Sequence, residues 1–381
     1  MVQTGLEIVA DEDMPMVDLL FGRFGKLTTL PGREISSAHL TNTDVLLVRS
    51  VTSVNEELLS GSNVKFVGSG TIGVDHVDTD YLAEHDIIFA AAPGCNASAV
   101  VQYVLSAVCR LMPNWQSKSV GIVGCGSVGG RLYTMLSSLG ISCLRYDPFL
   151  DTKDFRLNTF DDILACDIIS LHTPLTVRGP YPSYHLFNQH VLSSLRPGTV
   201  LINAARGDVI DNQALLSVLS SGTDLSVALD VWSQEPDINI QLMERVSIAT
   251  PHIAGHSLEG KIKGTVMVFD AFLEWIGELW NHDEITQLGN ILLEGEKRAL
   301  NEVILASYDV NRDTVRMRDA MCRHTETTGV VFDRLRREYP LRREFSSTKI
   351  SPRGLSSQDM EKLSLLGFSF DDIPPEILRV D

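Results

Sequence analysis

One segment limits the possible folds more than any other: SVGIVGCGSVGGRLYTMLSSLG, beginning at Ser119. A β-branched run leads into Gly124-x-Gly126-x-x-Gly129, and an amphipathic helical pattern follows. Glycine permits the tight turn at the first position and lets the backbone approach a pyrophosphate at the second. At the third it lets helix and strand pack closely, while the helix N-terminus presents N–H groups and positive potential. Three spaced glycines alone are weak evidence. Here a second apolar run follows and ends at Asp147, about 20 residues on, where a ribose-binding acid belongs. The competing reading is a Gly-rich turn in an unrelated α/β fold, and strand, helix and acid together weigh against it. The segment therefore predicts a βαβ unit that holds a dinucleotide. A carboxylate at Asp147 accepts bonds from both ribose hydroxyls and repels a 2′-phosphate, which favours NAD over NADP. Arg145, two residues upstream, shares its strand face without removing the acid.

The same alternation runs through most of the 381 residues. Candidate strands are Leu6–Ala10, Asp44–Arg49, Val64–Gly68 and Ile87–Ala91, then Ser119–Gly124, Ser142–Asp147, Ile168–His172, Thr199–Asn203, Leu225–Asp230 and Ser247–Thr250. Runs such as VLLV, VLIN and ALDV read as strands buried on both faces, and strands alternating with helices imply right-handed crossovers and mostly parallel sheets. The two series predict two α/β domains. Between them, NASAVVQYVLSAVCRLM reads as a helix after an Asn96 cap, apolar nearly all round and so buried, in part by a second subunit. A long helix over Leu258–Trp280 returns the chain to the first domain. From about residue 283 the composition changes to a tail of about a hundred residues, long enough for a small domain.

Asp plus Glu number 49 against 32 Lys plus Arg, a net charge of -17. Such a chain does not gather nucleic acid or anionic lipid non-specifically. Six scattered cysteines without a C-x-x-C pair fit a reducing cytosol. The N-terminus has no signal-peptide pattern, and no apolar run is long enough to span a bilayer. A soluble, cytoplasmic protein is expected, with neither nucleic acid nor membrane as partner. No His/Cys/Asp cluster has metal-ligand spacing, and no metal is expected.

Three further residues follow predicted strand ends, where ligands bind in open α/β sheets: Arg206 in NAARGDVID, Glu235 in DVWSQEP and His252 in ATPHIAGHSLEG. Singly, each reads as an ordinary loop or structural residue. At successive strand ends beyond a dinucleotide loop, they form a set suited to oxidising a 2-hydroxy acid. His252 can take the hydroxyl proton, Glu235 can orient its ring and stabilise imidazolium, and Arg206 can grip the carboxylate in a bidentate fork.

In this order GxGxxG, HTPL, NAARG, DVW-x-x-EP and TPHIAG, from about Leu6 to Trp280, resemble the D-isomer-specific 2-hydroxyacid dehydrogenase family. The resemblance implies a flavodoxin-like substrate domain over 1–95 and 257–282 and a Rossmann NAD domain over 96–256, both doubly wound parallel sheets. It makes Arg206, Glu235 and His252 the catalytic set. VADEDMP, VRSVTSVNEELL, KFVGSGTIGVDHVD, AAPGCNASAVVQYV and HIAGHSLEGK resemble more narrowly one branch that acts on a phosphorylated four-carbon 2-hydroxy acid. FDRLRREYPLRREFSS resembles that branch's extra α+β dimerisation domain, here 283–381, and so implies a homodimer. The activity implied is NAD-dependent oxidation of 4-phospho-D-erythronate to 3-hydroxy-2-oxo-4-phosphobutanoate, in vitamin B6 biosynthesis. By the same resemblance Gly124, Gly126, Gly129, Asp147, Thr173, Ala204, Ala205, Arg206, Asp230 and Gly255 contact NAD, with Asp230 on the nicotinamide carboxamide. Ser50, Thr71 and His256 contact substrate.

His256 departs from the family, which usually carries Tyr there. Imidazole can still donate a hydrogen bond, but it is shorter and can carry charge. For the substrate phosphate, Arg49 is one candidate. The cluster Arg334, Arg336, Arg337, Arg342 and Arg343 is another, although interleaved acids make it read as a solvated, salt-bridged face. Two alternatives stay open: a family member acting on 3-phosphoglycerate, glycerate or hydroxypyruvate, and a non-catalytic NAD-sensing protein of the same fold.

Overall fold

The computed structural model describes residues 5–150, 158–280, 289–293, 295–296, 298–323 and 326–371. They form two compact units, one holding the described residues up to Asn96 and from Ser257 to Trp280, the other Ala97–His256 and the residues from Gly289 on. The expected boundary between 282 and 283 lies outside the described residues.

In the first unit five parallel strands, β1 (Leu6–Asp11), β2 (Gly25–Leu30), β3 (Val45–Val48), β4 (Phe66–Ser69) and β5 (Ile88–Ala91), lie in the order β2-β1-β3-β4-β5. Strand order reverses between β1 and β3, which opens a crevice at their C-terminal ends. VLLV forms β3, buried throughout as a central strand between two helical layers must be. The Leu258–Ile276 helix covers one face, with Val268, Phe269 and Phe272 in the core. Ser257 caps its start by accepting from the Gly260 N–H at 2.9 Å. It stops short of the expected Trp280 because Gly277 turns left-handed (φ 72°) and its N–H bonds back to the last turn. The sequence pattern does not mark β2: GKLTTL has no buried residue and pairs only with β1, so it carries no buried apolar run.

The second unit contains a six-stranded parallel sheet of β6 (Ser119–Val123), β7 (Ser142–Tyr146), β8 (Ile168–Leu171), β9 (Thr199–Asn203), β10 (Leu225–Leu229) and β11 (Ile248–Ala249). Their order is β11-β10-β9-β8-β6-β7, so the reversal falls beside β6, where the glycine loop begins. The Ala97–Leu111 helix is buried almost throughout. Its own chain provides the cover: Leu300, Val303, Ile304, Tyr308 and Val310 of the tail share its core, and Ser106 Oγ donates to the Tyr308 carbonyl at 2.8 Å. The all-round apolar pattern thus reflects the tail and does not require a second subunit.

The tail itself is α+β. Strands β12 (Ile291–Leu293), β13 (Thr348–Ile350) and β14 (Ser369–Phe370) form a small parallel sheet. Helices Leu300–Ser307, Val310–Arg323, Thr328–Arg337 and Ser357–Leu365 accompany it. No helix among the described residues is long and apolar enough to cross a membrane.

Candidate active site

The three glycines beyond β6 each meet a different steric demand. Gly124 sits at φ 84°, and a Cβ there would lie 2.7 Å from the His172 carbonyl carbon. Gly129, in the first turn of the Ser127–Ser138 helix, would place a Cβ 1.9 Å from the Gly124 oxygen, so only glycine lets the helix approach the strand. At Gly126, the residue preceding that helix, a Cβ would meet nothing within 4 Å. Open space there, beside the N–H groups of a helix start, is what a pyrophosphate needs. Asp147, just past β7, accepts from the Cys125 N–H (2.8 Å) and the Phe149 N–H (3.0 Å) through different oxygens. The carboxylate is held beside the loop, and each oxygen retains a second lone pair. Arg145 stacks over the Tyr133 ring at 4.1 Å. These residues fit an adenine dinucleotide with a free 2′-hydroxyl.

Three loops at the C-terminal edge carry the proposed catalytic groups. Asn203, fully buried at the end of β9, accepts from the Ala205 N–H (3.1 Å) and donates to the Arg206 carbonyl (2.9 Å). Its side chain thereby fixes the turn that presents Arg206, whose Nη1 also donates to the Ala205 carbonyl at 2.8 Å. Gly207 lies so close to Trp232 that a Cβ would be 2.0 Å from its carbonyl carbon, which presses this turn against the loop after β10. That loop bears Glu235. One carboxylate oxygen accepts the Trp232 N–H at 2.8 Å, and the other lies 2.7 Å from His252 Nδ1. An ionised carboxylate only accepts, so Nδ1 carries the proton and Nε2 is left as the acceptor.

His252 has a left-handed backbone (φ 57°), uncommon for a residue with a Cβ. Its N–H donates to the Asp230 carbonyl at 2.7 Å. The Asp230 side chain, 1% exposed, accepts from the Ile253 N–H, the Ala254 N–H and the Thr250 hydroxyl, at 2.7–2.8 Å. Asp230 is therefore the internal anchor of the His252 loop, a role its position at a strand end did not disclose. Burial raises its pKa despite His252 and those three donors. At Glu235 burial also acts upward, but His252, the Trp232 N–H and Arg336 outweigh it and hold the carboxyl below the ordinary glutamate value.

The remaining expected residues are spread over both units. Thr173 follows β8 and its hydroxyl donates weakly to the Pro174 carbonyl (3.3 Å). Adjacent His172 bonds Ser170 Oγ at 2.8 Å, and burial pushes its pKa down to about 3, so it is neutral. Ala204 and Ala205 line the Arg206 turn, and Gly255 and His256 end the His252 loop. The His256 ring stands edge-on to Tyr339 of the tail at 5.8 Å. Ser50 and Thr71 belong to the first unit, at the ends of β3 and β4. Thr71 donates to the Gly73 carbonyl (3.0 Å) and lies 2.8 Å from Ser69 Oγ, while Ser50 is exposed next to Arg49. Lys261 carries no signal in the sequence that marks it as a site residue. Burial and the charge of Arg49 hold its pKa below the ordinary lysine value, so two cations share that edge. The arginine cluster splits: Arg334 pairs with Glu326, Arg343 donates to the Gly289 carbonyl at 2.9 Å, and Arg342 is buried.

Residues 106–254 match the family described as D-isomer specific 2-hydroxyacid dehydrogenase, NAD binding domain. Residues 284–367 match a domain family described only as of unknown function. An erythronate-4-phosphate dehydrogenase of Cellvibrio japonicus is 43% identical over 375 residues, covering 95% of this chain and 99% of the relative. The enzyme of the same name from Saccharophagus degradans is 46% identical over 356 residues, covering 91% and 94%. Among solved structures, an NAD+-bound 3-phosphoglycerate dehydrogenase of Entamoeba histolytica aligns with TM-score 0.62 at 22% identity, over 72% of this chain and 96% of that one. That last likeness bears on the fold alone. With a dinucleotide loop, a paired Glu and His at strand ends and near-complete alignment to these relatives, the chain belongs to the erythronate-4-phosphate dehydrogenase family.

Proposed function

We propose that the protein oxidises 4-phospho-D-erythronate to 3-hydroxy-2-oxo-4-phosphobutanoate with NAD, as a step towards pyridoxal 5′-phosphate. The observation that carries this is the 2.7 Å contact between Glu235 and His252 Nδ1, in the same unit as the Gly124–Gly129 loop. His252 Nε2 takes the proton of the C2 hydroxyl as the C2 hydride departs. The bound nicotinamide supplies the hydride acceptor. Glu235 keeps Nε2 free as an acceptor and stabilises the imidazolium once the proton arrives. Arg206 holds the carboxylate and polarises the C2 oxygen. Gly124, Gly126, Gly129, Asp147, Thr173, Ala204, Ala205, Asp230 and Gly255 hold the cofactor, with Asp147 excluding a 2′-phosphate. Ser50, Thr71 and His256 bind substrate.

A cytoplasmic homodimer belongs to the same proposal, with a substrate domain over 1–95 and 257–282, an NAD domain over 96–256 and a tail domain over 283–381. All six cysteines are free thiols, which supports a reducing compartment, and the tail exposes Val315, Val330, Leu341 and Leu365, which supports association through that region. Sedimentation equilibrium at micromolar concentration is expected to give twice the 42.0 kDa chain mass, and a monomer would exclude the dimer. For the activity, NADH formation from 4-phospho-D-erythronate, lost in His252→Ala, is the expected result. Tight NAD binding with no turnover on any 2-hydroxy acid would favour an NAD-sensing protein instead.

A further inference from the structure

The loop that carries His252 is held from within by Asp230, but the tail grips it from behind. Arg342, 6% exposed, donates through Nη2 to the Ala254 carbonyl and, at 3.4 Å, to the Ala99 carbonyl. Ala254 is thus fixed at both polar groups, its N–H on Asp230 and its carbonyl on Arg342, two residues from His252. The guanidinium itself has little freedom. It lies 4.4 Å over the Tyr308 ring, and both the Tyr308 and Tyr339 hydroxyls donate to Asp313 at 2.8 Å. Burial opposes its charge, yet Tyr339, Tyr308 and Asp313 around it keep its pKa above the ordinary arginine value. Two more tail contacts flank the loop: the Ala249 N–H, at the end of β11 before it, donates to Thr314 Oγ1 (3.3 Å), and the His256 ring at its far end stands edge-on to Tyr339.

We propose that Arg342 is a positioning residue for the reaction: the tail acts within its own chain as a buttress that keeps His252 aligned, apart from any part it takes in dimer formation. The left-handed backbone at His252 costs energy and persists only where its surroundings over-determine it. Asp230 holds the N–H side of the following peptides, and Arg342 is the charged donor on the carbonyl side. Without that donor the loop relaxes and His252 loses its aim at the substrate hydroxyl. A domain matched only as of unknown function would thereby shape the active site. The inference rests on His252 being the base, as proposed above.

The test compares wild type, Arg342→Lys and Arg342→Gln for NAD affinity, thermal midpoint, kcat, and the kinetic isotope effect on kcat with substrate deuterated at C2. Arg342→Gln is expected to lose kcat about tenfold or more with NAD affinity within about twofold, and to show a larger isotope effect because hydride transfer has slowed. Arg342→Lys keeps the charge and one donor and is expected to recover part of kcat. Wild-type kcat and isotope effect in a folded Arg342→Gln would overturn the inference, even if its thermal midpoint fell, since that would mark a merely structural role. If Arg342→Gln does not fold, Arg342→Lys decides alone, normalised to active sites counted by NAD binding: a lowered kcat with a larger isotope effect supports the buttress, and wild-type values refute it. A wild-type protein with no turnover would refute the proposed function instead, so the two failures are distinguishable.

Discussion

Glu235→Gln isolates the electrostatic half of the Glu–His pair with almost no change of shape. In the wild type one carboxylate oxygen accepts the Trp232 N–H at 2.8 Å and the other faces His252 Nδ1 at 2.7 Å. After substitution the amide oxygen must remain on the Trp232 N–H, because the flipped arrangement would set an NH2 against that donor. The NH2 group then faces Nδ1 and donates to it. Nδ1 becomes the acceptor, the ring proton moves to Nε2, and the atom required to take the substrate proton already carries one. A wrong tautomer and a lost charge together cost about 3–5 kcal/mol of transition-state stabilisation, or about 10²–10⁴ in kcat. The assay is steady-state NADH formation at neutral pH, with NAD affinity measured separately by fluorescence. NAD binding is expected to be nearly unchanged, because the substituted group does not belong to the dinucleotide loop. A variant within about threefold of wild-type kcat would refute the tautomer argument and with it the assignment of Nε2 as the proton acceptor.

Three other outcomes follow from the same geometry. Because the folded Glu235 carboxyl titrates below its unfolded value, the stability it contributes is present above about pH 4.5 and is lost as pH falls through the lowered folded value. The stability gap between wild type and Glu235→Gln in urea titrations is therefore expected to shrink progressively below about pH 4.5, and a gap that widens there would reverse the sign of that linkage. Gly129→Ala drives a Cβ to 1.9 Å from the Gly124 oxygen, so the helix must retreat from β6. A loss of about 1–3 kcal/mol in stability and at least about tenfold in NAD affinity is expected from calorimetry and fluorescence titration. Asp147→Ser removes the proposed acceptor for the ribose and loosens the Cys125 and Phe149 N–H groups, and the NADP-to-NAD ratio of kcat/KM is expected to rise at least about tenfold.

Much of this arrangement is written locally in the sequence. The dinucleotide loop is legible because steric demands at Gly124 and Gly129 admit almost no other residue. The buried strands are legible because apolar runs such as VLLV and VLIN can only face apolar layers on both sides. Glu235 and His252 stand out because strand ends of a parallel sheet converge on one edge. What escaped is non-local or polar. β2 lies at a sheet edge and needs no apolar face. Asp230 does its work through backbone N–H groups of a loop more than 20 residues away, which no side-chain pattern records. Arg342 sits among interleaved acids that read as a solvated face, yet its neighbours in space are Tyr308, Ala99 and Ala254. Its burial depends on how the tail folds back onto the Ala97–Leu111 helix, and only the assembled structure reveals that.

The most direct test of the whole account is NADH absorbance with purified protein and NAD, supplied in parallel with 4-phospho-D-erythronate, 3-phosphoglycerate and D-glycerate, and with a 2-oxo acid added to release trapped cofactor. The account predicts preferential turnover of 4-phospho-D-erythronate by the wild type and its loss in His252→Ala with NAD binding retained. Preference for another of the three acids, or undiminished turnover in His252→Ala, would contradict it.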